Sequence, residues 1–369
     1  MRIDAIDIYR VQMPLVYPFR TAYGDADTIG SVLVRLRSGG LVGWGEGTSW
    51  TAPNYSPECA AAQFIVSREF VAPLLLGQEV GAGAELQERL ASIKGNYFAK
   101  AAFDMAWWDL HARSLGQPLW RVIGGKSPVV TSGADFGVME SVELLIHTIG
   151  VAVRQGYKRV KLKFRPGWDV GMVAAVRAAF PDTTFHVDCN SAYTLADAPM
   201  FKELDRYGLA MIEQPLAHDD LIDHAALQAQ LATPICLDES ITSAHKARKA
   251  IQIGACRWIN VKPPRVGGLT NALAIHDLCQ SAGIPCWVGG MLESAVGVAH
   301  CLALATLPNF SYPADIFPSE RFFRRDLGVP AMAHSGPSEF TASSAPGIGV
   351  APDPEMLERL TIERAALAA

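Results

Sequence analysis

Lys163, Asp188, Glu213, Asp238 and Lys262 recur along this chain at steps of 25, 25, 25 and 24 residues, and each closes a short apolar run. The runs are Arg159-Val160-Lys161-Leu162-Lys163, Thr184-Phe185-His186-Val187-Asp188, Leu209-Ala210-Met211-Ile212-Glu213, Pro234-Ile235-Cys236-Leu237-Asp238 and Trp258-Ile259-Asn260-Val261-Lys262. A step of that length holds one strand, one helix and two loops, the repeating unit of a parallel sheet. An open doubly wound sheet does not bring the ends of five successive strands round one point. A closed barrel does, and its C-terminal rim is where such folds keep their chemistry. The predicted fold is therefore α/β: a modified (β/α)8 TIM-type barrel, with an α+β capping domain before it.

The rest of the chain completes that division. A first barrel strand is expected over Val129–Phe136, a seventh over Ile284–Gly289 and a weaker eighth near Ser311–Asp315. Residues 1 to about 50 alternate as a meander instead, with strands at Ile3–Met13, Ser31–Arg37 and Leu41–Glu46 joined through Ser38-Gly39-Gly40. From Ser56 to Ser114 apolar residues fall at helical spacing, most strongly over Ala101–Leu110. The expected domains are a cap over 1–125 and a barrel over 126–320. The segment 321–369 should return to the cap and end in a helix from Pro354 to Ala368. A length of 369 residues agrees with two domains, because single cores seldom grow past about 250 to 300 residues.

Composition removes several function classes. Apolar residues make up 50% of the chain and charged residues 19%, and the net charge is −5 with no basic stripe. These values argue for a large core and against nucleic acid or an anionic membrane as partner. The opening Met1-Arg2-Ile3-Asp4-Ala5-Ile6-Asp7 alternates like a strand and lacks the apolar centre of a signal peptide. Seven cysteines without a C-x-x-C pair point to reduced thiols and no zinc site. A soluble cytoplasmic protein is expected. Apolar helices such as Ala299–Leu307 permit assembly into a homo-oligomer.

Carboxylates from three neighbouring strands repel one another unless a cation joins them. Asp188, Glu213 and Asp238 are therefore read as ligands of a hard divalent ion, Mg²⁺ first and Mn²⁺ second, with positions left open for substrate. Asn190 and Glu239 sit beside them as supporting groups, and Gln214 adjoins Glu213. Lys161 and Lys163 share one strand face, and Lys163 lies nearer the substrate. Lys161 is read as holding the metal carboxylates or lowering the pKa of Lys163. A metal flanked by amines suits removal of a proton α to a carboxylate, since the cation neutralises the enediolate while a lysine takes the proton.

The motifs Lys161-Leu162-Lys163, Asp188-Cys189-Asn190, Ile212-Glu213-Gln214-Pro215, Leu237-Asp238-Glu239-Ser240 and Lys262-Pro263-Pro264-Arg265-Val266-Gly267-Gly268 resemble the signature of the muconate-lactonizing subgroup of the enolase superfamily. Pro18-Phe19-Arg20-Thr21-Ala22-Tyr23-Gly24 and Pro53-Asn54-Tyr55-Ser56 resemble the two specificity loops of its capping domain, near 18–24 and 50–56. Gly289-Gly290-Met291-Leu292-Glu293-Ser294 resembles the seventh-strand motif of the o-succinylbenzoate synthase and N-acylamino acid racemase family. The chain has neither the strand-seven histidine of mandelate-racemase-type members nor the paired D-x-D of dipeptide epimerases.

The resemblance implies roles. Asp188, Glu213 and Asp238 would bind Mg²⁺, Lys163 and Lys262 would face opposite sides of the α-carbon, and Lys161, Asn190, Glu239 and Arg265 would support them. Phe19, Arg20, Tyr23, Tyr55, Asp135, Gly289, Gly290, Met291 and Glu293 would contact substrate, the two glycines leaving room for a bulky group. The implied activity is o-succinylbenzoate synthase, a dehydration on the route to menaquinone. N-Succinyl or N-acyl amino acid racemisation through the same enediolate is the alternative, and a non-catalytic metal-binding scaffold is a remote third. Asp135 stands where the family carries a small hydroxyl residue, and Pro264 replaces a glycine. Both changes bear on the substrate and leave proton abstraction intact.

Overall fold

The computed structural model describes residues 1–369. The chain opens with an antiparallel meander of strands Ala5–Thr21, Gly24–Ser38 and Leu41–Gly47. The first two are longer than their sequence pattern indicates, because they continue past the sheet as a hairpin arm with a register break between Pro14 and Phe19. That arm carries Phe19 and Tyr23 over the barrel. The second turn is tight because Gly39 and Gly40 take φ of +52° and +84°, the region glycine occupies at no steric cost.

The helix Tyr97–Ser114 lies against the third strand at unusually close range. A Cβ on Gly43 or Gly45 would stand 2.2 Å from the carbonyl oxygen of Ala106 or Ala102, and one on Gly47 would stand 2.4 Å from that of Phe98. Alternate glycines on one strand face thus form the groove that seats the helix. Ile6, Ile8, Val34, Phe103 and Trp107 bury their side chains at that seam, each such burial contributing about 1.5–3 kcal/mol.

The second half holds a seven-stranded parallel sheet with neighbours in strict chain order. Its strands are Ala134–Phe136, Arg159–Lys163, Thr184–Asp188, Ile212–Glu213, Ile235–Leu237, Trp258–Val261 and Cys286–Val288. Three expectations change. The run Val129–Phe136 is two strands, since Val129–Thr131 turns away to pair with Glu339–Thr341. The break falls at Gly133, where a Cβ would meet the Arg159 guanidinium at 2.1 Å. The eighth strand is absent as a regular element. Residues 309–315 close the gap with separate backbone bonds instead: Ser311 N donates to Cys286 O at 3.1 Å, Ala314 N to Thr131 O at 2.9 Å, and Asp315 N to Val288 O at 2.9 Å. Pro313 in this stretch has no N–H to sustain a ladder.

The third change is at the C-terminus. The helix stops at Leu360, and Thr361–Ala368 is a strand, antiparallel to the first, with Ala368 opposite Ala5. The segment returns to the N-terminal sheet as expected, but in another conformation. It supplies the backbone partners that an exposed sheet edge lacks. No helix is long and apolar enough to cross a membrane.

Candidate active site

Lys163, Asp188 and Glu213 lie side by side in the parallel register, so all three point to the same face of the sheet. Lys161 sits one layer deeper. Its Nζ is 2.9 Å from both Asp188 Oδ2 and Glu213 Oε2 and 3.2 Å from Asp315 Oδ2. Lys163 Nζ reaches the same Asp188 oxygen at 2.7 Å. Burial opposes charge on Asp188, yet the two ammonium groups outweigh it and hold the carboxyl below the usual carboxylate range. The same balance favours the cation at Lys161, whose pKa is raised despite its burial by Asp188, Asp315 and Glu213. Asn190 takes a left-handed backbone (φ +43°), donates from its N–H to Asp188 and from its side-chain amide to Glu239 at 3.1 Å.

Around Asp238 the composition differs. Lys262 Nζ is 2.9 Å from Asp238 Oδ2 and 3.2 Å from the Tyr55 hydroxyl, and it lies 4.7 Å from the centre of the Tyr55 ring. Tyr55 donates to Asp238 at 3.2 Å, while Arg265 pairs with Asp238 and also donates from Nη2 to Asn260 O at 2.6 Å. Asn260 in turn donates to Glu213 Oε1 at 2.6 Å.

Lys163 and Lys262 come from different strands and both line one cavity with Phe19, Tyr23, Tyr55 and Asp135. Gly290, Met291 and Glu293 line it too. Burial pushes the Glu293 carboxyl up to about 7, and its Oε2 accepts from Met291 N at 2.8 Å. Tyr23 donates to Glu239, so this first-loop residue touches a supporting group of the rim. Asp135 is 7% exposed, and its Oδ1 has no hydrogen-bond partner. Arg20 is not brought in: its guanidinium is half exposed and lies 3.5 Å from Asp25.

The glycines require a correction. A Cβ on Gly289 would stand 2.3 Å from Asn260 Oδ1 and 2.7 Å from Lys262 Cε, and one on Gly290 would stand 2.9 Å from Asp315 O. At Gly289 the space is taken by the protein's own lysine stem and amide, whereas Gly290 lines the cavity beside the Asp315 carbonyl.

Sequence reasoning passed over several groups. Asp315 binds Lys161, and Arg159, buried in the barrel floor, pairs with Asp315 at 2.7 Å. Trp50, Phe317 and Phe322 complete the apolar wall. The alternation of Arg159, Lys161 and Lys163 along one strand carried a signal for Arg159. No pattern marked the others, which sit on irregular segments.

The acidic groups fit a hard cation by chemistry more than by present arrangement. All are oxygen donors; Asn190 Oδ1 is buried without a hydrogen-bond partner, and Glu213 Oε2 is met only by ion-pair contacts, with Lys161 at 2.9 Å and His186 at 3.4 Å. Asp188 and Glu213 meet at the Lys161 ammonium, whereas Asp238 is turned towards Lys262 and Arg265. No ready cage of three acidic ligands exists. The expectation that the three converge therefore holds for two, because amines already occupy the oxygens a cation would take.

Residues 4–124 match the mandelate racemase / muconate lactonizing enzyme N-terminal domain, and residues 147–356 match the enolase C-terminal domain-like family. The chain is 46% identical to an o-succinylbenzoate synthase of Geobacillus kaustophilus over 98% of its length and 96% of that protein's. It is 44% identical to an N-succinylamino acid racemase of Thermus thermophilus, over 98% of each chain. Among solved structures, an enolase-superfamily member from Listeria innocua has a TM-score of 0.96 at 38% identity, covering 100% of this chain and 99% of that one. A dipeptide epimerase from Cytophaga hutchinsonii, solved with Mg and a dipeptide, has a TM-score of 0.91 at 25% identity over 99% and 100%. Two lysines and three acids on the rim of a curled parallel sheet, under a cap of antiparallel strands, thus belong to a chain that is a member of the enolase superfamily, in its mandelate racemase and muconate-lactonizing branch.

Proposed function

We propose that this protein is an o-succinylbenzoate synthase that removes the proton α to a carboxylate and expels the β-hydroxyl as water. The observation that carries the reading is that Lys163 and Lys262 line one cavity from separate strands. An amine on either side of a carbon serves proton transfer there and has no purpose in a scaffold. Lys163 takes the α-proton and returns it to the departing hydroxyl. Lys262, fixed by Asp238 and Tyr55, remains a cation and balances the negative charge on the substrate.

Asp188, Glu213 and Asp238 would hold a divalent cation, Mg²⁺ or Mn²⁺, with Asn190 and Glu239 orienting them. When bound, that ion supplies the positive charge that lowers the cost of forming an enediolate. Phe19, Tyr23 and Tyr55 close the cavity from the cap and keep water from the reacting carbon. In this reading residues 1–125 and 321–369 form the cap and 126–320 the barrel, and the enzyme works in the cytoplasm on a small carboxylate.

A second activity, racemisation of N-succinyl amino acids, is favoured by the names of the relatives. Synthases and racemases occur at 46% and 44% identity over nearly the full chain. There the lysines alternate, one removing the proton as the other returns it. The test is to incubate the purified chain with Mg²⁺ and the cyclohexadiene substrate while following the aromatic chromophore. In parallel, deuterium entry at Cα of N-succinyl amino acids is measured in D₂O. Chromophore formation supports the synthase, exchange without dehydration supports the racemase, and neither with Mg²⁺ or Mn²⁺ would sink both.

A further inference from the structure

Lys161 is within ion-pair distance of three carboxylates, and its partners fall on two sides. On one side are the two acids assigned to the metal, Asp188 and Glu213, each 2.9 Å from Nζ. On the other is Asp315 Oδ2 at 3.2 Å, with the Trp287 ring centre 5.1 Å away. Three carboxylates thus surround one ammonium, and of these Asp315 accepts a hydrogen bond from it. Asp315 is itself firmly held: its N–H donates to Val288 O at 2.9 Å, and Arg159 grips its other oxygen at 2.7 Å while also donating to Pro313 O at 2.7 Å. Arg159 and Asp315 touch neither Lys163 nor Lys262, and the proton transfer has no use for them.

A divalent cation and an ammonium compete for the same Asp188 and Glu213 oxygens. Like charges a few ångströms apart repel strongly in so buried a place. We propose that the Arg159–Asp315 pair is a berth for Lys161, receiving its ammonium when metal takes the carboxylates, so that Asp315 is a positioning residue which sets metal affinity through Lys161. This rests on the metal-dependent reading above and deepens it. The Trp287 face adds a second favourable contact on the berth side. Without Asp315, the only carboxylates left within ion-pair distance of Lys161 would be those the metal needs.

A double-mutant cycle tests this, using Mn²⁺ alone as probe and calorimetric or EPR titration of the full chain without substrate. Asp315→Asn should weaken Mn²⁺ binding about tenfold when Lys161 is present, and by less than about threefold in a Lys161→Gln background. Lys161→Gln alone should tighten binding. If Asp315→Asn costs the same factor in both backgrounds, the residue acts only through its charge and the berth is wrong. A Lys161→Gln chain that binds Mn²⁺ more weakly also overturns it. Should Asp315→Asn fail to fold with Arg159 unpaired, Arg159→Gln with Asp315→Asn removes both buried charges and replaces it in the cycle. No Mn²⁺ binding by the unaltered chain would overturn the metal-dependent reading itself, and the berth with it. Normal binding with an additive cycle would overturn the berth alone.

Discussion

The two flanks of the reacting centre are built differently. Lys163 is held by barrel elements alone, through Asp188 on the adjacent strand, and the cap adds only the Phe19 ring 5.7 Å from its Nζ. Lys262 is held jointly by the barrel and the cap, since Tyr55 gives it both a hydroxyl and a ring face and also bonds Asp238. One amine is thus set by strand register, and the other by a residue of the cap as well.

The sharpest way to break that comparison is to remove each amine. Lys163→Ala and Lys262→Ala should each lower turnover roughly a thousandfold or more. Each should retain Cα deuterium exchange with only one enantiomer of an N-succinyl amino acid, and not the same one. Loss on the same enantiomer in both variants would show that the flanks are not opposed.

Asp238→Asn should be the most destabilising change at the rim, since it leaves Lys262 and Arg265 buried without their carboxylate. Denaturant unfolding should register a loss of about 3–5 kcal/mol. A smaller loss would mean that Tyr55 and the backbone carbonyls alone hold those cations.

The capping flank also carries a pH dependence. Glu58 caps the helix Tyr97–Ser114 by accepting from Phe98 N and Ala99 N, but burial, only partly offset by these bonds, pushes its carboxyl up to about 7 from an ordinary 4.5. Below pH 4.5 the group is protonated in folded and unfolded chains alike. As pH rises towards 7 the unfolded chain gives up this proton first, so stability falls across that window by about 3 kcal/mol. Glu58→Gln should flatten this part of the stability profile. An unchanged slope would move the effect to other buried acids, among them Asp104, raised to about 6.

The mildest test is Tyr55→Phe, which keeps the ring and removes the hydroxyl. A drop of about tenfold in turnover is expected, with proton removal by Lys262 affected more than removal by Lys163. Equal effects on both would erase the asymmetry.

Legibility in the sequence follows the same divide. Strand ends a fixed number of residues apart announce Lys163, Asp188, Glu213, Asp238 and Lys262, because each side chain's direction follows from local alternation. The cap's reach over the rim is long-range and was visible only through the family's loop motifs. Asp315 closes the weak eighth run, but its link to Lys161 and Arg159 is not legible there, because that link crosses the barrel between residues more than 150 apart. Thr361–Ala368 reads as a helix from its alanines and its exposed charges. It is a strand because the free edge of Ala5–Val11 takes it up, and nothing local records that demand. Arg20 carries the right charge on the right loop, but it pairs with Asp25 and lines a neighbouring cleft with Asp135 instead of the cavity of the two lysines.

The pairing of residue 5 with residue 368 has a consequence for how the molecule is made. During synthesis the barrel strands emerge one after another beside their sequence neighbours, while the first strand of the cap waits for residues 361–368, made only after the whole barrel. A proline placed within 361–368 would strip the cap's sheet of its outer seam and leave the barrel whole, a lesion felt at Tyr55 before it is felt at Lys163.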